Sequence, residues 1–241
     1  MTGENPLFSF KGNLDYLIIT HPHKDHISGL IDIDDKKPTS LLRNKLIPRE
    51  LITDTMKSAQ TIKDKEIYKK YLELHEKYTI PTLYETNPNN PQYNGNVKII
   101  NFLPSKNDIK DLNYYSISTF IEYEGFKILL MGDNTLSNIE ELLNNSEFLN
   151  KTKNIDILLA PHHGRATCYN PELIDHLNPV ITIISDKSGQ GDVTAADEYS
   201  HKSRGCYVLK NGEPVKRSCL TTRNDGNINV IIENKIYIIC E

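Results

Sequence analysis

Thr20-His21-Pro22-His23-Lys24-Asp25-His26-Ile27-Ser28-Gly29 follows directly on the apolar run Leu17-Ile18-Ile19. The apolar run reads as a buried strand, so the ligand-type side chains begin where that strand ends, on the turn into the next element. Three histidines and one aspartate fall within six positions. Imidazole and carboxylate are the donors that divalent zinc, manganese or iron prefer. His21 and His23 are two apart and point the same way from an extended segment, with Pro22 fixing the backbone between them. Asp25 and His26 come one turn later and can face a second metal. A lone His-x-His is common among surface histidines; His-x-His-x-Asp-His after an apolar strand is far more specific.

This stretch resembles the signature of the metallo-β-lactamase-fold hydrolases. The resemblance implies an α/β fold, an αββα sandwich of two mixed sheets with helices on both outer faces. It also implies a one- or two-metal site on the loop after a core strand, and hydrolysis by a hydroxide held on the metals. Three further stretches resemble one branch, the hydrolase domain attached to the competence DNA-uptake protein ComEC and its free-standing relatives. They are Asn113-Tyr114-Tyr115-Ser116-Ile117, Leu129-Leu130-Met131-Gly132-Asp133, and Asp156-Ile157-Leu158-Leu159-Ala160-Pro161-His162-His163-Gly164. They occur in family order, and with the first motif they cover about residues 14–185.

On that resemblance the first metal takes His21 and His23, the second takes Asp25, His26 and His163, and Asp133 lies between them. Asp133 follows a buried strand, and each of its oxygens can take one cation; by itself it would read as a helix cap. Of His162 and His163, one is a ligand and the other meets substrate phosphate or protonates the leaving group. His163 is assigned as ligand and His162, with Asp25, as catalytic. Many relatives supply a further histidine to the first metal from a middle motif; this chain offers Asn113 and Ser116 there, read as substrate-binding. Arg223 either clamps a phosphate with its planar fork or pairs with Asp225 or Glu233. Ser185 and Asp186 line the same rim, with Asp192, Thr194 and Tyr199 as weaker candidates. Two divalent cations, zinc or manganese, are the expected cofactors.

The chain has 241 residues, 28 basic and 32 acidic, for a net charge of -4. No global basic excess points to nucleic-acid binding, so a polymeric phosphate substrate would be gripped locally. Cys168, Cys206, Cys219 and Cys240 form no Cys-x-x-Cys pair and read as reduced thiols. With no apolar run of membrane length and no signal peptide, the expectation is a cytoplasmic protein with no membrane partner.

A single domain over 1–241 is expected, with a helical insert at about 36–85. Apolar residues recur at helical spacing over 47–79, as a pair that forms either a lid or a packed outer layer, with His75 solvated. Residues 86–96 read as loop. Strands are expected at 97–103, 116–123, 126–131, 155–160, 180–184, 206–209, 218–222, 228–232 and 235–239, with Glu124-Gly125 as a hairpin turn. Helices are expected at 136–143, 171–177 and 195–203, the first capped by Asn134 or Thr135. About a dozen residues precede the strand at 14–19, where relatives carry two or three strands. The sheet is therefore expected to be N-terminally shortened and covered by a second copy or a partner chain, or rearranged around the 228–239 hairpin. The function expected from the whole is a two-metal phosphodiesterase acting on a nucleotide or nucleic acid. The alternatives are a lactone, thioester or β-lactam hydrolase on the same site and a non-catalytic, metal-stabilised binding module.

Overall fold

In a computed structural model of the chain, residues 14–33, 38–79, 90–187 and 193–241 are described. The motif strand β1 (Tyr16–Ile18) leads into a one-turn helix α1 (Lys24–Ile27), then β2 (Ser40–Leu42), α2 (Arg49–Ser58) and α3 (Ile62–Lys77). Next come β3 (Lys98–Phe102), β4 (Ser118–Tyr123), β5 (Phe126–Leu130), α4 (Leu136–Leu143), α5 (Ser146–Thr152) and β6 (Ile157–Leu159). The chain continues through α6 (Pro171–Leu177), β7 (Ile181–Ile184), α7 (Ala196–Lys202), β8 (Cys206–Lys210), β9 (Glu213–Arg217) and β10 (Cys219–Thr221). It ends with α8 (Thr222–Asp225), β11 (Ile228–Ile232) and β12 (Ile236–Cys240).

The strands form a mixed six-stranded sheet in the order β10-β7-β6-β5-β4-β3, a mixed four-stranded sheet β11-β12-β8-β9, and a parallel pair β1-β2. Side-chain alternation along the six-stranded sheet divides two cores. Leu129 and Leu158 point to a cluster with Ile139 of α4, Phe148 of α5, Leu173 and Leu177 of α6, and Tyr199 of α7. Ile157, Ile181 and Ile183 point the other way, to Val208, Ile238 and Cys240 of the four-stranded sheet. Helices thus cover one face and a second sheet the other. Glu124 and Gly125 both take left-handed φ, 50° and 83°, the two-residue turn that suits a hairpin.

The sequence reading passed over several elements, β2, α5, α8 and β9 among them. β9 carries Glu, Pro, Lys and Arg and no apolar alternation. It is an edge strand, where proline and charge are tolerated, paired to β8 through Asn211-Gly212 with φ of 53° and 83°. α5 is too short for a clear period; Asn145 Oδ1 caps it by accepting from the Phe148 N–H at 3.0 Å.

The 47–79 segment is a helix pair broken near Ala59, and it packs beneath the motif. Ile52, Ile67, Tyr68 and Tyr71 share a buried cluster with Ile19, Ile27, Leu30 and Tyr115. Lys24 Nζ meets Asp64 Oδ1 at 2.8 Å, tying α1 to α3. This is a supporting layer, so the lid alternative falls. His75 is half-buried against Tyr71, centroids 5.8 Å apart, and is not a solvated histidine.

Residues 1–13 and residues 86–89 of the 86–96 loop lie outside the described residues. Among the described residues β1 has one strand partner, β2, in the register Tyr16 to Ser40 through Ile18 to Leu42. The 228–239 hairpin pairs with β8 and does not rearrange around β1. Leu129 is fully buried at the centre of the helix-side core. Leu129→Ala is expected to cost about 2–5 kcal/mol in urea unfolding, with the denaturant slope unchanged.

Candidate metal centre

Three strand ends meet at one edge. β1 runs out at Thr20-His21, β5 at Met131-Gly132-Asp133, and β6 at Pro161-His162-His163-Gly164. Backbone bonds lock them together. The Ile117 N–H donates to the Thr20 carbonyl at 3.0 Å, and the His162 N–H donates to the Gly132 carbonyl at 2.9 Å. Gly132 sits at φ 56°, where a methyl would lie 3.2 Å from the Ile117 carbonyl oxygen and 3.3 Å from Thr20 Cβ. His162 and His163 are themselves left-handed, φ 48° and 55°. Non-glycine residues held there store strain on the order of 1–3 kcal/mol each, and such strain clusters at functional sites. Gly164 follows at φ 69°, and a Cβ on it would run into Ile184 at 2.8 Å.

This edge gathers two donor groups. Ligand atoms of Asp25, His26, Asp133 and His163 lie within 4.8 Å of one another, as do those of His21, His23 and Asp133. Asp133 belongs to both. Its Oδ1 is 3.2 Å from His26 Nε2; its Oδ2 is 3.6 Å from His163 Nε2 and 3.8 Å from His21 Nε2. Asp25 Oδ2 lies 3.2 Å from His163 Nε2 and 3.4 Å from His26 Nε2. His162 Nε2 comes to 3.9 Å from Asp133 Oδ2 and belongs to neither group.

Side chains behind these residues set their orientation. Thr20 Oγ1 lies 3.3 Å from His21 Nδ1 and 3.4 Å from His26 Nδ1, which leaves both Nε2 atoms for the centre. The Ser185 carbonyl takes His163 Nδ1–H at 2.9 Å. Outer partners of this kind fix the ring and tautomer of metal-binding histidines. Ser116 is fully buried, and its Oγ accepts the Asp133 N–H at 3.1 Å. It therefore holds the Asp133 turn and is closed to a substrate. Asn113 is half-buried; its Oδ1 has no hydrogen-bond partner.

Burial and the two carboxylates pull the histidines of this edge in opposite directions. Burial, helped by His26, pushes His21 down to about 3. Burial also works against charge on His26, but the Asp133 and Asp25 carboxylates prevail and raise it to about 9. The hydrogen bond to His163, with His26 close beside it, holds Asp25 well below the usual carboxylate range. Burial alone would raise Asp133, yet His26, His21 and His163 together keep it low. His163 is raised by its bond to Asp25, and burial lowers His162.

These residues fit divalent metal. His26 Nε2 is buried between two carboxylates without a well-formed hydrogen bond. His21 Nε2 and His23 Nδ1 lie 3.1 Å apart, as two ligands converging on one ion can. All donors are nitrogen or oxygen, which suits zinc and manganese alike.

Beside the centre lies a cleft of about 640 Å³ lined by Asp25, His26, His163, Arg165, Asp186, Lys187 and Thr194. Arg165 and Lys187 were not singled out in the sequence, because isolated cations between motifs carry no pattern. Thr20 hid inside the motif as an ordinary residue. Arg223 pairs with Asp186, its Nε to Oδ2 at 2.7 Å, and not with Asp225 or Glu233. Asp225 is taken instead by Lys210 and Arg217. Tyr199 is fully buried against Tyr169, away from the cleft, and Asp192 lies outside the described residues.

Residues 11–184 match the metallo-beta-lactamase superfamily, and the chain belongs to it. No curated protein matches the chain closely enough to report. Superfamily membership and the paired His/Asp groups together define a metal-dependent hydrolase in general terms. No described helix is long and apolar enough to cross a membrane.

Protein stripped of metal and reloaded with zinc or manganese is expected to hold close to two ions per chain. His23→Ala and His26→Ala should each lower that content by elemental analysis, while a reloaded wild type without metal would contradict the assignment.

Proposed function

We propose that the protein is a two-metal phosphodiesterase of nuclease type, acting on a nucleotide or nucleic-acid phosphodiester. The observation that carries this reading is the shared Asp133 between two donor groups, opening on a cleft that presents Arg165 and Lys187. His21, His23 and Asp133 would hold one ion, and Asp25, His26, His163 and Asp133 the other. When bound, such a pair supplies Lewis acidity toward a phosphoryl oxygen and makes a water nucleophilic near neutral pH.

The chain's own residues do the rest. Thr20 and Ser185 keep the His21, His26 and His163 rings aimed inward. The Ser116 hydroxyl and Gly132 place the Asp133 carboxylate where both groups reach it. Arg165 and Lys187 offset the charge of a phosphodiester entering the cleft. Arg223 is already tied to Asp186, so it shapes the rim and is less ready to grip phosphate. The four described cysteines are free thiols, which supports a reducing, cytoplasmic setting. Among the described residues β1 pairs with β2 alone, which supports an assembly in which a second copy or a partner chain adds to that sheet.

Bis(p-nitrophenyl) phosphate should be hydrolysed by the zinc- or manganese-loaded protein, and lactone, thioester and β-lactam probes should be turned over far more slowly. The reverse order would favour the carboxylic-derivative reading, and inactivity on all of them the binding-module reading. Asp133→Ala should lower phosphodiester turnover by more than about 10-fold, the lower end of what losing a metal-site partner costs, with the circular-dichroism spectrum retained. For the assembly, sedimentation across a wide concentration range should show a species larger than one chain; a soluble, active monomer at micromolar concentration would contradict it.

A further inference from the structure

His162 and His163 are neighbours in sequence, and the structure separates them by what each ring holds on its far side. His163 Nδ1 lies 2.9 Å from the Ser185 carbonyl oxygen. A carbonyl only accepts, so Nδ1 donates there, and Nε2 is the nitrogen turned to Asp25 and Asp133. His162 faces a different partner. Its Nδ1 lies 3.3 Å from Sγ of Cys168, a thiol only 5% exposed.

Two contacts select the tautomer of His162. A thiol has one S–H to give, and its sulfur is a weak acceptor, whereas an imidazole lone pair is a good one. On the opposite side of the ring, Nε2 looks toward Asp133 Oδ2 at 3.9 Å. A proton on Nε2 is attracted by that carboxylate, and a lone pair there is repelled. Both neighbours therefore favour the same state, with Nδ1 accepting and Nε2 protonated. That state cannot ligate through Nε2, which agrees with the place of His162 outside both donor groups.

We propose that Cys168 is a positioning residue: its S–H holds His162 as a neutral ring with the proton on Nε2, so that His162 is a hydrogen-bond donor at the centre and not a metal ligand. The consequence for catalysis rests on the hydrolase reading above. There His162 donates a hydrogen bond to the oxygen that gains charge as the ester bond breaks, and keeps its proton throughout. A fixed donor aimed at developing charge is a large source of transition-state stabilisation. Nothing in the sequence marks Cys168 for this; as a solitary buried thiol it reads as core.

The test uses the full chain, labelled with 15N-histidine and loaded with zinc chloride, with His162 assigned by its loss in His162→Gln. Wild type and Cys168→Ser, which keeps a donor, should show Nδ1 of His162 as a pyridine-type nitrogen and Nε2 as pyrrole-type. Cys168→Ala, or Cys168→Val if alanine weakens the fold, should lose that signature and gain pyrrole-type Nδ1. With bis(p-nitrophenyl) phosphate, kcat should fall by about 10-fold or more in the donorless variant, with KM and zinc content unchanged and with serine restoring the rate. A pyrrole-type Nδ1 in wild type, or a His162 spectrum that Cys168→Ala and Cys168→Val leave unaltered, overturns the proposal. The spectrum reports the tautomer whether or not this ester is a substrate, so a wild type without turnover would count against the phosphodiesterase reading alone.

Discussion

One carboxylate, Asp133, is shared by two groups of imidazole and carboxylate donors, and the rest of the structure is arranged to keep it there. It is 4% exposed, and in a buried setting an unpaired carboxylate is costly. His26 lies against one of its oxygens, and His21 and His163 lie against the other. Its backbone is pinned as firmly: Ser116 takes its N–H, and Gly132 before it fits a gap that no side chain would fill without displacing Thr20 or the Ile117 carbonyl.

The fold serves that position by ending three strands at one edge. β5 and β6 are parallel neighbours inside a sheet covered by helices on one face and by a second sheet on the other. Their ends are therefore rigid platforms. Among the described residues β1 belongs to a separate two-stranded unit backed by α2 and α3. It is joined to the main sheet by the bond from the Ile117 N–H to the Thr20 carbonyl. The centre thus lies at a seam between two hydrophobic clusters, and its ligand-type residues are drawn from both sides.

The parts of this arrangement legible in the sequence were those with a short-range pattern. His-x-His-x-Asp-His after an apolar run, Gly-Asp after a second, and His-His-Gly after a third mark strand ends, and the structure brings all three together. The interior strands and the hairpin at Glu124-Gly125 were readable from alternation and turn chemistry. What escaped depends on contacts far apart in the chain. The link from Arg223 to Asp186 spans a helix, a hairpin and a strand, so the sequence offered the nearer carboxylate Asp225 instead. Ser116 resembled a substrate contact because its burial comes from strands on either side. β9 was passed over because an edge strand can be charged and hold proline. His75 seemed solvated because a helix period does not show how closely Tyr71 packs against it.

The central claim is that Asp133 joins two metal positions, and anomalous diffraction tests it most directly. Crystals grown with zinc and measured on either side of the zinc absorption edge should show two peaks flanking the Asp133 carboxylate. One should lie by His21 and His23, the other by Asp25, His26 and His163. Peaks absent from this edge, or a single ion held without Asp133, would contradict the account.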